Sequence, residues 1–476
     1  MRLQRYAVSG YLAAMCAFLL AAPYFAPGGG YTVITACKAA VYAGLTLPFL
    51  LLSLPAPPPL RDLFRGPARL LAWGMLFFCL LSALCSPWKG AAFAGGSRRE
   101  GFFHLALYLL SFLLLSCREI RHRRALTAVF ACAVLLLDGL CLLQLAGRNP
   151  LGLYPPGMRW ADANVRYAGA YLGTVGNAAF TGAVLSSAAA LFFLCLLREG
   201  SAALPLLLPL LLSAGVLGAM DVTAPLLALL AVMLLAPVPF VHRPDQLCRW
   251  ALLAALTAAA LLWGLLPAAG RLGLLLAAWA AAAARRVLRP EGDVRVPALC
   301  LTGLLCLGAL AAAFFYRGWY TPLREAGELL RGRVTEEMGS GRVYIWKQVL
   351  SALPGRLWLG TGPDTLALRG LPPYSFDSPT MGKTVTLSID AAHCEVLHTL
   401  VCCGLPAAAC HLGLFLCAAL RFFRRRGALC AGAALCYGIQ ALFGISMCAS
   451  APLFWILLAL SLAKGDDPPG DTDEQK

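Results

Sequence analysis

Charge is what this sequence has least of. Only 13% of its 476 residues are Asp, Glu, Lys or Arg, whereas ordinary soluble domains carry about 25%. Hydrophobic residues make up 60%. This balance excludes a soluble globular chain, and no separate hydrophilic domain interrupts it. Nor is there an internal repeat of fixed period, so a repeat-built transporter architecture has no support in the sequence. The 19 cysteines lie mostly singly inside apolar stretches, or as the neighbours Cys402 and Cys403. No CxxC is matched by a second CxxC or by spaced histidines, so neither a zinc site nor a disulfide framework is indicated. They read as small apolar side chains.

What is present is a succession of apolar runs, most of them long enough to cross a bilayer. They fall near 6–22, 33–54, 68–85, 101–117, 125–147, 175–197, 202–220, 222–241, 250–268, 270–288, 296–315, 393–420, 428–447 and 450–463. The expected fold is an all-α polytopic bundle of about 12–14 spans. Its parts are the N-terminal helices over 1–315, one large loop over 316–392 with short helices, the C-terminal helices over 393–463 and an acidic tail over 464–476. The first run has a polar flank and is followed directly by further runs, so it reads as a retained helix. The tail, GDDPPGDTDEQK, has no apolar residue and is expected to be disordered. Residues 55–66, PAPPPLRDLFRG, form a Pro-rich connection.

Arginine fixes the expected orientation. Arg2/Arg5, Arg61/Arg65/Arg69, Arg118/Arg121/Arg123/Arg124, Arg285/Arg286/Arg289/Arg295 and Arg421/Arg424/Arg425/Arg426 fall on one side of this span list. By the positive-inside rule both termini are cytoplasmic, and 316–392 lies outside. The formal charge of +16 is a topology signal. Spread over separate loops, it argues against nucleic acid as a partner. Ionisable residues deep in the spans are few: Lys38, Asp138 and Asp221.

The large loop carries nine basic and seven acidic residues, so it is no simple polybasic patch. Its PLREAGELLRGRVTEEM segment is amphipathic. Next, Val343, Trp346, Val349, Leu350 and Leu353 recur at three- and four-residue steps, which predicts a helix with Arg342 at its start. Pro354 and Gly355 end it, and GTGP makes a turn. Trp346 and Trp358 suit a membrane–water interface. On spacing alone this is an interfacial helix whose arginines meet lipid headgroups; Lys347 and Arg356 read as surface charges.

The loop closes on Asp390, His393, Glu395 and His398. Asp390 is placed to cap the following helix. His393 would sit in the first turn, where the helix dipole disfavours the imidazolium form; a neutral imidazole can accept a proton. Glu395 and His398 are three apart and could hold each other on one face. The string is not HExxH, and Glu395-x-x-His398 lacks the second copy that a di-iron site requires. No metal is expected, and a capped helix with a buried Glu–His pair is the alternative to a reactive site.

Two segments together resemble the O-antigen ligase/polymerase family of bacterial membrane glycosyltransferases. They are GSGRVYIWKQVLSALPGRLWLGTGPDTL (339–366), with its Arg-x-x-x-Trp and G-x-G-x turn, and DAAHCEVL (390–397), similar to a D-x-x-H-N-x-x-L helix entry followed by Gly404. Weaker similarities are RYAGAYLGTVGNAAFTGAVL (166–185) and GGSRREGFFHLALYLL (95–110). The ligase-related region is about 170–415. The sequence departs from the family twice. GAMDVTAPLLALL (218–230) has no Arg after Thr223, and Cys394 stands where the family commonly has Asn.

The resemblance implies glycan transfer outside the cytoplasm, at the bacterial cytoplasmic membrane. The donor is an undecaprenyl-pyrophosphate-linked glycan, and the acceptor a glycan, lipid or protein hydroxyl; no nucleotide or other cofactor is implied. His393, Arg342 and Asp390 would be catalytic. Arg166, Arg98 and Arg99 would bind the phosphates as guanidinium groups do, with Trp346, Asn177 and Glu395 also lining the substrate. Asn177 could equally orient a helix end, Asp390 could hold His393 in its tautomer, and Glu395 and His398 could support the site from below. A flippase or other transporter of lipid-linked oligosaccharide also needs many spans, and an inactive scaffold is a third class. The outer-edge placement of the polar residues favours surface chemistry over transport.

Overall fold

The computed structural model describes residues 2–23, 30–96, 98–162, 170–220, 222–264, 268–287, 292–318, 320–378, 382–424 and 428–465. Arg166, Asp221, Arg289, Arg425, Arg426 and the acidic tail from 466 onward lie outside these residues.

The fold is helical, with 71% helix and 4% strand. Among the described residues eight helices are long and apolar enough to cross a membrane, and five shorter apolar helices accompany them. The longest continuous stretch, Ala178–Met220, holds two helices, Ala178–Glu199 and Leu207–Met220, joined by a 3-10 turn. Ala178–Glu199 is the axis of the bundle. It is apolar on every face and buried through Thr181–Leu197 without a break, as a helix with no solvent or lipid side must be. Its GAVLSSAAA segment is made of small residues, which let neighbouring backbones approach closely. Helices Leu207–Met220, Thr223–Leu235 and Ala428–Ala441 pack around it. At the periphery, Arg295–Phe315 leaves Leu304, Leu307, Leu310 and Phe315 exposed; a soluble protein would not sustain such a surface, and a bilayer explains it.

The expected span over 393–420 is broken. Glu395–Cys403 and Leu405–Phe422 are separate helices, and Gly404 between them has φ +86°. A Cβ there would lie 2.0 Å from the Trp358 carbonyl oxygen, so only glycine lets the large loop reach the break. The loop then satisfies the groups that the break frees. Thr361 N and Gly362 N donate to Cys402 O at 2.9 and 2.8 Å, and Leu405 N donates to Leu357 O at 2.8 Å. Ser82 of helix Pro67–Leu84 donates to Cys402 O at 3.0 Å.

The large loop contains the expected helices, Thr321–Leu330 and Met338–Ser351, and also an antiparallel hairpin, Tyr374–Ser378 with Lys383–Leu387. In Met338–Ser351 the backbone is left-handed at Gly339, Ser340 and Gly341, so the right-handed helix begins at Arg342. Its buried positions are Gly341, Ile345 and Val349, and Leu350 is exposed. The buried stripe therefore follows i, i+4, i+8 and runs one side of that read from the valines and leucines. The hairpin braces this helix: Tyr344 Oη donates to Pro373 O at 3.2 Å, and the Tyr374 ring fills the space beside Gly341.

Gly404→Ala tests the crossing. The strained φ and the carbonyl clash predict a loss of about 2 kcal/mol or more, read as a lower melting temperature in detergent. Gly10→Ala, with nothing within 4 Å of the added carbon, should leave melting unchanged or slightly raised. Equal behaviour of the two variants would overturn this account of the break.

Candidate functional site

The site is assembled from a tight turn, the loop helix and the approach to the broken helix. The turn is GGSRREG over 95–101. It closes backbone on backbone: a Cβ on Gly101 would lie 2.2 Å from Gly95 N. Asp364, itself at φ +56°, clamps it by accepting from Gly96 N at 2.6 Å and Glu100 N at 3.2 Å. The clamp aims Arg98 at Asp390. Arg98 Nη2 meets Asp390 Oδ1 at 2.5 Å, and Nη1 donates to the Asp390 carbonyl at 3.1 Å. The Arg98 side chain is 13% exposed and that of Asp390 42%, so the pair sits at a boundary between protein and solvent. Asp390 therefore does not cap a helix; it is held by Arg98.

Glu100 leaves the same turn in the other direction, into the protein. Tyr108 Oη and Ser446 Oγ each donate to its carboxylate at 2.7 Å. Burial nonetheless pushes its pKa up to about 7, because two neutral donors replace less solvation than burial removes. Arg99 is exposed, at φ +58°.

Arg342 reaches the site from the loop helix. Its Nε donates to Phe443 O at 3.1 Å and its Nη1 to Gly339 O at 2.5 Å. Its Nη2 has no hydrogen bond among the described residues. One turn on, Trp346 Nε1 donates to Ala392 O at 2.9 Å. Trp346 is thus a strut between the loop helix and the residue before His393.

His393 precedes helix Glu395–Cys403 and is not in its first turn. Its φ of +49° is the left-handed region, a conformation that histidine tolerates better than most residues but that is typically strained and frequent at functional sites. Ile389, Ala391 and Ala392 around it are buried and fix the segment. The imidazole makes no hydrogen bond among the described residues and is partly exposed. Burial first, then Arg342 and Arg98, lower its pKa to about 4 against the opposing pull of Asp390. The neutral form of the imidazole is favoured by desolvation and two guanidinium groups, and not by a place in the helix's first turn.

Glu395 and His398 do not hold each other. Tyr437 Oη donates to Glu395 Oε1 at 3.0 Å, and His411 Nε2 lies 3.9 Å from Oε2. His411 Nδ1 in turn meets Thr399 Oγ1 at 2.9 Å. His398 Nε2 faces Cys402 Sγ at 3.6 Å. A cavity of about 40 Å³ touches Arg98, Glu100, Asp364, Glu395, His398 and His411. It holds at most a few waters and is too small for a sugar ring. Glu395 faces this small internal cavity.

Asn177 is a helix cap: its Oδ1 accepts from Ala179 N at 2.8 Å, at the start of Ala178–Glu199. The structure brings together His393, Arg342, Asp390, Arg98 and Trp346. The residues that sequence reasoning missed are Asp364, Glu100, Tyr437 and His411. Asp364 had a local signal as the Asp that closes the GTGPD turn, and Glu100 lies in the 95–110 segment already singled out.

No family model matches the chain, and no curated protein matches it in sequence.

Carbethoxylation of His393, read by peptide mass against pH, tests the electrostatics. Only neutral imidazole reacts, so reactivity should persist well below the ordinary histidine midpoint and halve near pH 4. Arg98→Met removes a cation and frees Asp390; both raise the pKa, so the midpoint should climb above the wild-type value but stay below about 6.5, because burial and Arg342 are unchanged. A wild-type midpoint already near 6.5 would refute the assignment.

Proposed function

We propose that the chain is a membrane glycosyltransferase of the O-antigen ligase type. It transfers or polymerises glycan from an undecaprenyl-pyrophosphate-linked donor onto a hydroxyl of a glycan, lipid or protein. The observation that carries this reading is the unbonded neutral imidazole of His393, held beside Arg342 at the edge of an apolar bundle. That pairing suits a hydrolase or transferase of a phosphate-linked sugar: a proton acceptor for the incoming hydroxyl and a fixed cation for the departing phosphate.

In this reading the acceptor oxygen attacks the anomeric carbon as its proton passes to His393. The bond from that carbon to the phosphate oxygen breaks, and lipid pyrophosphate leaves with the electron pair. Arg342 Nη2 and the exposed Arg99 meet the phosphate charge. Arg98 is engaged by Asp390, so it positions the His393 segment and depresses its pKa, and contacts phosphate less directly. Trp346 keeps the loop helix on Ala392. Orientation follows from the arginine-rich loops: both termini in the cytoplasm, the site outside, in a bacterial cytoplasmic membrane.

A second reading, a flippase for the same lipid-linked glycan, draws support from charge inside the spans. Lys38 is fully buried, with Nζ 2.6 and 2.9 Å from the Phe18 and Leu19 carbonyls. Asp138 is fully buried against Ser213. Lys38 is satisfied by a helix end, which makes it a structural cation, so we favour the transferase.

The test uses proteoliposomes supplied with a native lipid-linked donor extract. Wild type should lengthen or transfer glycan, and His393→Ala and Arg342→Ala should each lose at least roughly a hundredfold with equal insertion. Donor crossing the bilayer with no glycan growth would replace this reading with the flippase. Full activity in both variants would leave the cluster a structural one.

A further inference from the structure

A second cavity lies away from His393. It has a volume of about 580 Å³, within the usual range for small-molecule sites. It opens between helices Arg2–Phe18, Arg123–Leu145, Ala178–Glu199 and Ala451–Leu462. Met15, Leu126, Phe130, Leu453 and Leu457 form its wall. At one end its rim is basic: Arg123, Arg124 and Arg198 stand there against a single carboxylate, Glu199. Helix Phe102–Ser116 starts just after Arg98 and Glu100 and ends just before Arg118–Arg124, so this rim and the His393 site lie at opposite ends of one helix.

One buried group at the rim lacks a partner. Arg123 donates through Nη2 to Ala463 O at 2.9 Å, but its Nε is buried with no hydrogen bond. Ser450, 2% exposed, lines the other end. The rim also holds the N-terminus of helix Arg123–Leu145, which has no side-chain cap and no acidic residue in its first turn. An uncapped helix N-terminus favours an anion, and Arg124 is tied only loosely, 3.3 Å from Glu199 with 75% of its side chain exposed.

We propose that this cavity binds one anionic glycerophospholipid. Its hydrocarbon chain fills the slot between the four helices, and its phosphate headgroup rests on Arg123 and Arg124 in the leaflet on the arginine-rich side. The match is one of shape and charge together: an apolar slot at membrane depth that ends in cations fits a molecule that is apolar along its length and anionic at one end. The site is independent of the transferase reading.

The experiment is native mass spectrometry of the full chain released from nanodiscs made of equal phosphatidylglycerol and phosphatidylcholine. Wild type should retain one phosphatidylglycerol in preference to phosphatidylcholine by roughly tenfold. Leu457→Trp fills the slot and should lose retained lipid. Leu457→Ala, which enlarges it, should keep the lipid and so separates occlusion from misfolding. Arg123→Gln with Arg124→Gln should keep a lipid but bring the two headgroups to near parity. No retained lipid in wild type, equal retention of both headgroups, or retention unchanged by Leu457→Trp would each overturn the proposal. Displacement of the phosphatidylglycerol by added undecaprenyl phosphate at equal concentration would also overturn it, by assigning the slot to an isoprenoid.

Discussion

Everything around His393 hangs on one backbone crossing. Inside a bilayer no water is present to satisfy a free peptide group, so a helix can be interrupted only where protein supplies the missing partners. At Gly404 the large loop supplies them, with Thr361 and Gly362 donating to Cys402 O and Leu357 accepting from Leu405. That obligation pins residues 357–362 to the bundle. Two residues further on, Asp364 is thereby placed to clamp the turn 95–101, and the clamped turn presents Arg98 to Asp390. On the other side of the pinned segment the loop helix is drawn in, and Trp346 anchors on Ala392. The catalytic candidates are thus set by main-chain hydrogen bonds formed where apolar surroundings make an unpaired group expensive.

The charges are distributed so that each has a different surrounding. The Arg98–Asp390 pair lies at a boundary, where one member keeps contact with solvent. Glu100 and Glu395 lie within, and each takes hydroxyl donors in place of a cation: Tyr108 and Ser446 for one, Tyr437 for the other. Among the described residues His393 receives neither a donor nor an acceptor. With two guanidinium groups nearby and little water, the neutral form is the one the protein selects. A base whose proton affinity has been lowered in this way is weak in isolation. Its value lies in staying unprotonated next to the cations that a phosphate leaving group requires.

The spans were legible because hydropathy over about 20 residues is a direct consequence of bilayer thickness. The start of the loop helix at Arg342 was also legible, from its three- and four-residue spacing. The break at Gly404 was present in the string LVCCGLPAAAC, where Gly then Pro406 is a helix stop followed by a proline-started helix; the apolar run masked it. Other features had no local signature. Arg98 and Asp390 are 292 residues apart and Tyr437 is 42 beyond Glu395, so their pairing follows only from tertiary packing. Glu395 and His398 show the opposite failure: sequence spacing put them on one face, while Glu395 pairs with Tyr437 across the bundle and His398 with Cys402 on its own helix. Tyr374–Ser378 and Lys383–Leu387 alternate as strands do, but the hairpin is too short to stand out beside so much helix.

The cavity at the arginine-rich end poses a constraint that the site at the other end does not. A cleft of about 580 Å³ that opens between the helices leaves the apolar side chains of its wall without packing partners while it is empty. Filling it with matching apolar groups is therefore favourable. Water would not offset the cost, since the wall of Met15, Leu126, Phe130 and Leu453 offers it no partners. Hydrocarbon would, and the surrounding bilayer supplies it. Any chain could meet that need, so apolar burial explains occupancy without explaining choice. The choice falls to the rim, where a bare helix start and two arginines favour an anionic headgroup over a zwitterionic one.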